Sequence, residues 1–210
     1  MPIWGPTGIS HDVDDGRITG GGTTWNPEPD EGYPYAEFFN MSRDGAAYWA
    51  GGLRFRNVTI PQGATINSAT LEIELLVVGS IDATNSVLTF GADVGANRND
   101  AFSNSHIPPS TNWTLSTASA SINGLSVERK QVDVTDIVQE MVDLAGWTSG
   151  DNIAFGIKMD GSDTYWSVRV ADYDADTLAT VATLEIDYTE AGSGVAKSLG
   201  LRPYLPLLVR

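Results

Sequence analysis

The chain has 210 residues, 41% of them hydrophobic, with a formal net charge of −15 and no cysteine. That length supports one domain with a real core. The acidic surplus repels nucleic-acid phosphates and anionic lipid, so neither nucleic acid nor a membrane is an expected partner. Without cysteine, disulfides, thiolate zinc sites, iron–sulfur clusters and thiol nucleophiles are excluded, and packing must carry the stability.

In chain order, Met1 to Pro6 shows neither the basic nor the apolar stretch of a secretory signal. No apolar run approaches membrane-spanning length, so synthesis in a cytoplasm is expected. Residues 1–35 are rich in Gly, Pro, Asp and Thr and read as one short strand near 13–18 and a long loop arm. Residues 36–189 read as the body. Between Ala47 and Val58, Leu53 and Phe55 alternate with Arg54 and Arg56, the pattern of a half-buried strand. Ile60-Pro61-Gln62-Gly63-Ala64 is a turn. From Thr70 to Val78, Leu71, Ile73, Leu75 and Val77 point one way, and Glu72 and Glu74 the other. Shorter alternating runs follow at 87–90, 153–157, 166–170 and 184–188, with Phe155 and Trp166 expected in the core. Asn123-Gly124 predicts a type I′ hairpin between 118–122 and 125–129.

One helix interrupts the strands at about 134–145. Ile137, Val138, Met141 and Val142 form its apolar stripe, Asp133 or Thr135 can cap it, and Gly146 is its expected stop. The helix is expected as a lid on the core, with Trp147 packed over a sandwich edge. Short strands with turn chemistry at their ends describe an all-β antiparallel sandwich or barrel. Residues 190–198 are a Gly- and Ser-containing linker. Residues 199–210 form an apolar tail whose two prolines bar it from a helix interior or a central strand. Left exposed, such a tail invites aggregation, so it is expected to dock, in cis or on another subunit, through Leu199, Leu201, Tyr204, Leu205, Leu207, Leu208 and Val209.

The chemistry-bearing residues are few. The two histidines, His11 and His106, lie far apart in loop-like sequence, and no nucleophile motif accompanies either, so no enzyme is expected. Asp12, Asp14 and Asp15 resemble half of a calcium loop and are the candidate ligands for one structural Ca²⁺, although no Glu closes the loop at EF-hand spacing. Asp is also a common turn former. Trp25, Tyr33 and Tyr35, beside Glu28 and Asp30, are the candidate glycan platform, since sugar faces stack on exposed aromatic rings.

Gly52 to Leu71, with Leu53-Arg54-Phe55 and Ile60-Pro61-Gln62-Gly63-Ala64-Thr65-Ile66-Asn67-Ser68-Ala69-Thr70-Leu71, resembles the core block of DNRLRE-type jelly-roll domains. Gln131 to Glu140, around Asp133-Val134-Thr135-Asp136, resembles the helix of that family, and Ala182 to Tyr188 its last strand. The resemblance spans roughly residues 10 to 190. It implies a sandwich like those of carbohydrate-binding modules, found on extracellular enzymes, surface proteins and phage virions. Val142 to Asn152 is similar to the form found in phage and environmental sequences. With the apolar tail, the resemblance implies a virion structural protein of a tailed bacteriophage, serving as a capsid decoration, neck or tail component. Its termini would grip other virion proteins, and a homo-oligomer, with a trimer favoured, is expected. The alternative expectation is a carbohydrate-binding module recognising host or environmental glycans.

Overall fold

The computed structural model describes residues 3–8, 15–19, 24–26, 38–44, 48–79, 86–108, 110–126, 128–161, 165–171 and 181–191. Along the described chain run β1 (Ile3–Gly8), β2 (Asp15–Thr19), β3 (Thr24–Asn26), β4 (Phe38–Asp44), β5 (Tyr48–Val58), β6 (Thr65–Gly79), β7 (Ser86–Ala92), β8 (Ala120–Asn123) and β9 (Arg129–Asp133). Then come α1 (Thr135–Asp143), β10 (Asp151–Gly161), β11 (Tyr165–Ala171) and β12 (Thr183–Thr189). The fold is an all-β antiparallel sandwich of jelly-roll type, with one short helix among the described residues. One sheet has the order β1-β12-β6-β11-β4, with β9 also on β6, and the second has the order β3-β2-β5-β10-β7-β8. Most neighbours are distant in sequence, so each sheet gathers strands from both halves of the chain.

Alternation drives the burial. Leu71, Ile73 and Leu75 of β6 face Leu53 and Phe55 of β5, Leu88 and Phe90 of β7, and Ile153, Phe155 and Ile157 of β10 in one continuous core. Each such side chain contributes about 1.5–3 kcal/mol by leaving water. On the opposite side of β6, Glu72 and Glu74 pair with Arg129 of β9, at 2.9 Å and 3.8 Å. The carboxyl of Glu72 is disfavoured by partial burial, but hydrogen bonds from Gln131 and Arg129 outweigh this and hold it below its ordinary value.

Helix α1 buries Ile137, Val138, Met141 and Val142, the expected stripe. Its ends differ from expectation. The N-cap position is Val134, which makes no side-chain cap. Asp133 instead accepts the N–H and the hydroxyl of Thr135, at 3.0 Å and 2.6 Å. The helix stops at Leu144, which turns extended with φ −59° and ψ 132°, before Gly146 is reached. Its last carbonyls find donors in the 60–64 turn, where Gly63 N–H donates to Val142 O at 2.9 Å and Gln62 Nε2 to Leu144 O at 2.7 Å. Gly63 has φ +68°, the left-handed conformation that favours glycine there. Trp147 lies deeper than a sandwich edge: it is buried in the main core and donates Nε1–H to Ile60 O at 2.9 Å.

Two further expectations are corrected. Gly124 has φ +63°, but Asn123 does not share a positive φ, so the turn is not type I′. Nor does it close a hairpin: β8 pairs with β7 in one sheet while β9 pairs with β6 in the other. The turn carries the chain across the sandwich because the apolar residues on its two sides are claimed by different sheets. Residues 1–35 are not simply a strand and a loop arm. β1 pairs with β12, β2 with β5 and β3 with β2, which places these segments in the two sheets.

Candidate functional site

The outer face of the second sheet carries a row of glycines. Gly16 of β2, Gly52 of β5, Gly156 of β10 and Gly91 of β7 are successive register partners across four strands. Side chains are missing along this line, which leaves a trough, and the loop between β7 and β8 lies in it. A Cβ on Gly52 would meet Phe102 at 2.9 Å, one on Gly156 would meet Pro108 at 2.7 Å, and one on Gly91 would meet Leu115 at 2.7 Å. The loop brings its own small core: Phe102, Ile107 and Trp113 pack with Ile18, Trp25 and Ala154, and Trp49 leans against them.

Polar groups fasten the loop from within. Asp93 is fully buried and accepts the N–H groups of Gly95 at 2.8 Å and Thr114 at 3.0 Å. Its second oxygen lies 2.8 Å from His106 Nε2, and the imidazole sits 5.4 Å from the Trp113 ring. At the far end, the Arg98 guanidinium bonds Asp151 at 2.6 Å and also donates to Gly146 O. Partial burial opposes the charge of Asp151, but its bonds from Arg98, the Thr148 N–H and Asn99 hold its carboxyl below the ordinary range.

Where the loop returns to the sheet it raises one wall of a groove of about 380 Å³, lined by Trp49, Thr89, Gly91, Leu115, Thr117, Ser119 and Lys158 among others. The wall is bonded almost residue by residue. Val94 N–H donates to Thr114 O at 2.7 Å, and Ser116 N–H to Ala92 O at 2.8 Å. The hydroxyl of Ser116 accepts Ala92 N–H at 3.0 Å and donates to Ala118 O at 2.7 Å. Leu115 stands 45% exposed on this fixed backbone, the one large hydrophobic side chain so exposed among the described residues. A rigidly presented apolar side chain beside an indole, with hydroxyls and an ammonium close by, has the composition of a small-molecule site.

Trp49 reaches the groove through an irregularity. Ile157 pairs with Gly51 but Lys158 pairs with Trp49, so one extra residue, Ala50, is inserted in β5. Ala50 is buried in the main core, and the bulge turns Trp49 to the outer face. Strict alternation from Leu53 and Phe55 would have sent it inward.

Of the expected site residues, Trp25 is corrected. It is buried, 4.5 Å from the Phe102 ring, with its backbone N–H donating to Asn104 Oδ1 at 2.8 Å, because the 93–119 loop covers it. It cannot offer a free face to a sugar. Tyr33, Tyr35, Asp12 and Asp14 lie outside the described residues. Asp15, the described member of the candidate calcium set, begins strand β2 and pairs with Leu53. Among the described residues no group of three or more His, Asp or Glu is placed to hold a metal ion. The linker after Ala191 and the docking residues Leu199 to Val209 also lie outside the described residues. The sequence reading missed the groove because its wall comes from a loop without periodicity. The glycines at positions 16, 52, 91 and 156 were the signal that something packs closely on that face.

Fold and groove together describe an all-β sandwich with a preorganised, partly apolar recess on one outer face. No protein-family model and no curated protein matches the chain.

Proposed function

We propose that the chain is a non-catalytic virion component of a tailed bacteriophage, whose sandwich offers the Trp49–Leu115 groove to a glycan. The observation that carries the recognition half is the exposure of Leu115 on a backbone bonded at nearly every position. A pyranose has an apolar C–H face and a rim of hydroxyls. Trp49 and Leu115 suit the first, and Thr89, Thr117, Ser119 and Lys158 suit the second. Support for a non-catalytic role is that His106 is buried and bonded to Asp93, so its imidazole is committed to structure.

Replacing Leu115 with Ala removes exposed surface without touching the main core. Retention on an array of neutral and acidic oligosaccharides should fall about tenfold, and Trp49→Ala should lower it at least as far. Unchanged retention in both variants, with folding intact, would reject the glycan reading.

The virion half rests on the resemblance of Val142 to Asn152 to phage forms and on the apolar tail. A dozen tail residues docked on a neighbour would contribute several kcal/mol, on the order of 25 cal/mol per Å² less ordering costs. Deleting residues 199–210 is expected to abolish oligomerisation and virion incorporation while leaving array retention unchanged. Sedimentation and particle composition read the first, and a full-size assembly from the truncated chain would count against the tail as anchor.

A further inference from the structure

We infer that Glu140, on helix α1 and outside the groove, is the positioning residue that sets the groove's wall. Its Oε1 accepts the Thr117 N–H at 2.9 Å and its Oε2 accepts the Ala118 N–H at 2.8 Å. Two consecutive amides bonded to one carboxylate fix both the place and the tilt of the peptide between them. Upstream, Asp93 holds Thr114 and the edge of β7 holds Ser116. Past Ser116, the Thr117 and Ala118 amides, just before β8 starts, are held by Glu140.

The carboxylate is itself a fixed point. Gln139, its neighbour in sequence, donates to Ala64 O at 3.0 Å and accepts Ile66 N–H at 2.8 Å. Thr135 Oγ1 accepts Ala69 N–H at 2.9 Å, and four buried side chains anchor the helix face. The helix is therefore stitched to β6 in one sheet, and Glu140 extends that anchorage to a wall raised on the other. Covering the core accounts for the apolar stripe of α1 but not for this contact. The proposal rests on the groove reading for its consequence in binding, but not for the contact itself.

The test compares the full wild-type chain with Glu140→Ala and Glu140→Gln. Amide hydrogen exchange is read residue by residue, and affinity is measured for β-glucan, xylan and mannan hexasaccharides. In Glu140→Ala, exchange at Thr117 and Ala118 should quicken about tenfold, with the rest of α1 and the core unchanged. In Glu140→Gln, one of the two amides keeps a carbonyl acceptor, so only one should quicken. Hexasaccharide affinity should fall in the same order. Unchanged exchange at both amides in either variant would overturn the proposal, as would a uniform loss of protection along α1, which marks general destabilisation. If Glu140→Ala does not fold, the one-amide pattern in Glu140→Gln decides. Should the wild type bind no hexasaccharide, the glycan reading fails for these probes while the exchange data still decide the role of Glu140.

Discussion

Asp93→Ala will lower the unfolding free energy by about 3–5 kcal/mol, because three buried donors lose their one shared acceptor at roughly 1–3 kcal/mol each. The carboxylate is fully buried and serves Gly95, Thr114 and His106 at once. Alanine leaves two backbone N–H groups and an imidazole N–H without an acceptor beneath the loop, where water reaches poorly. Urea denaturation at neutral pH checks the figure. Loss below about 1 kcal/mol would mean that the loop contributes little to the fold.

The same pair gives the protein a pH dependence whose sign can be worked out. Burial opposes charge on His106, but hydrogen bonds to Asp93 and the Ala101 carbonyl, with the nearby carboxylates of Asp93 and Asp100, outweigh it and raise its value. A raised folded-state value means that the native state holds the proton more tightly than the unfolded chain does. The resulting stabilisation is complete below about pH 6.5, the ordinary histidine value, and is lost as pH rises through the raised native one. His106→Gln keeps a donor for Asp93 without titrating. Its stability should be flat across this window while the wild type declines.

Gly156→Ala will destabilise by about 1–3 kcal/mol, the range of an overpacked site. The usual expectation for a glycine inside a strand has the opposite sign, because alanine there recovers roughly 0.5–1 kcal/mol of backbone entropy. Here the new Cβ would stand 2.7 Å from Pro108 and 3.1 Å from the Trp49 ring. The backbone cannot retreat, since Gly156 pairs with Gly52 on one side and Gly91 on the other. The loop must lift instead. Adding Pro108→Ala removes the nearer atom, so the double variant should recover much of the loss, and Trp49 fluorescence should report the movement. A stabilised Gly156→Ala protein would mean that the loop does not lie in the trough.

Much of the fold was legible in the residues. Strict alternation marked β6 through Leu71, Ile73 and Leu75, and the 3.6-residue stripe of Ile137, Val138, Met141 and Val142 marked α1. The Pro61–Gly63 turn was read from its punctuation alone. Strands β1, β3 and β4 were missed, since Ile3–Gly8 contains Gly5 and Pro6 and Thr24–Asn26 is too short to show a period.

By itself, the sequence determined the class of fold, the placement of the helix and the identity of the core faces. Those properties are local: each depends on which of two faces a residue joins, and hydrophobic period reports that directly. Tertiary structure alone decided what the outer face became. The four glycines meet only when β2, β5, β10 and β7 are laid in register, and Trp49 turns outward only because Ala50 makes a bulge against β10. Trp25 looked exposed in a Gly- and Pro-rich segment until a loop some eighty residues away covered it (Asn104 accepts its backbone N–H). Long-range pairing has no period, so the jelly-roll body could be expected from the chain while its recess could not.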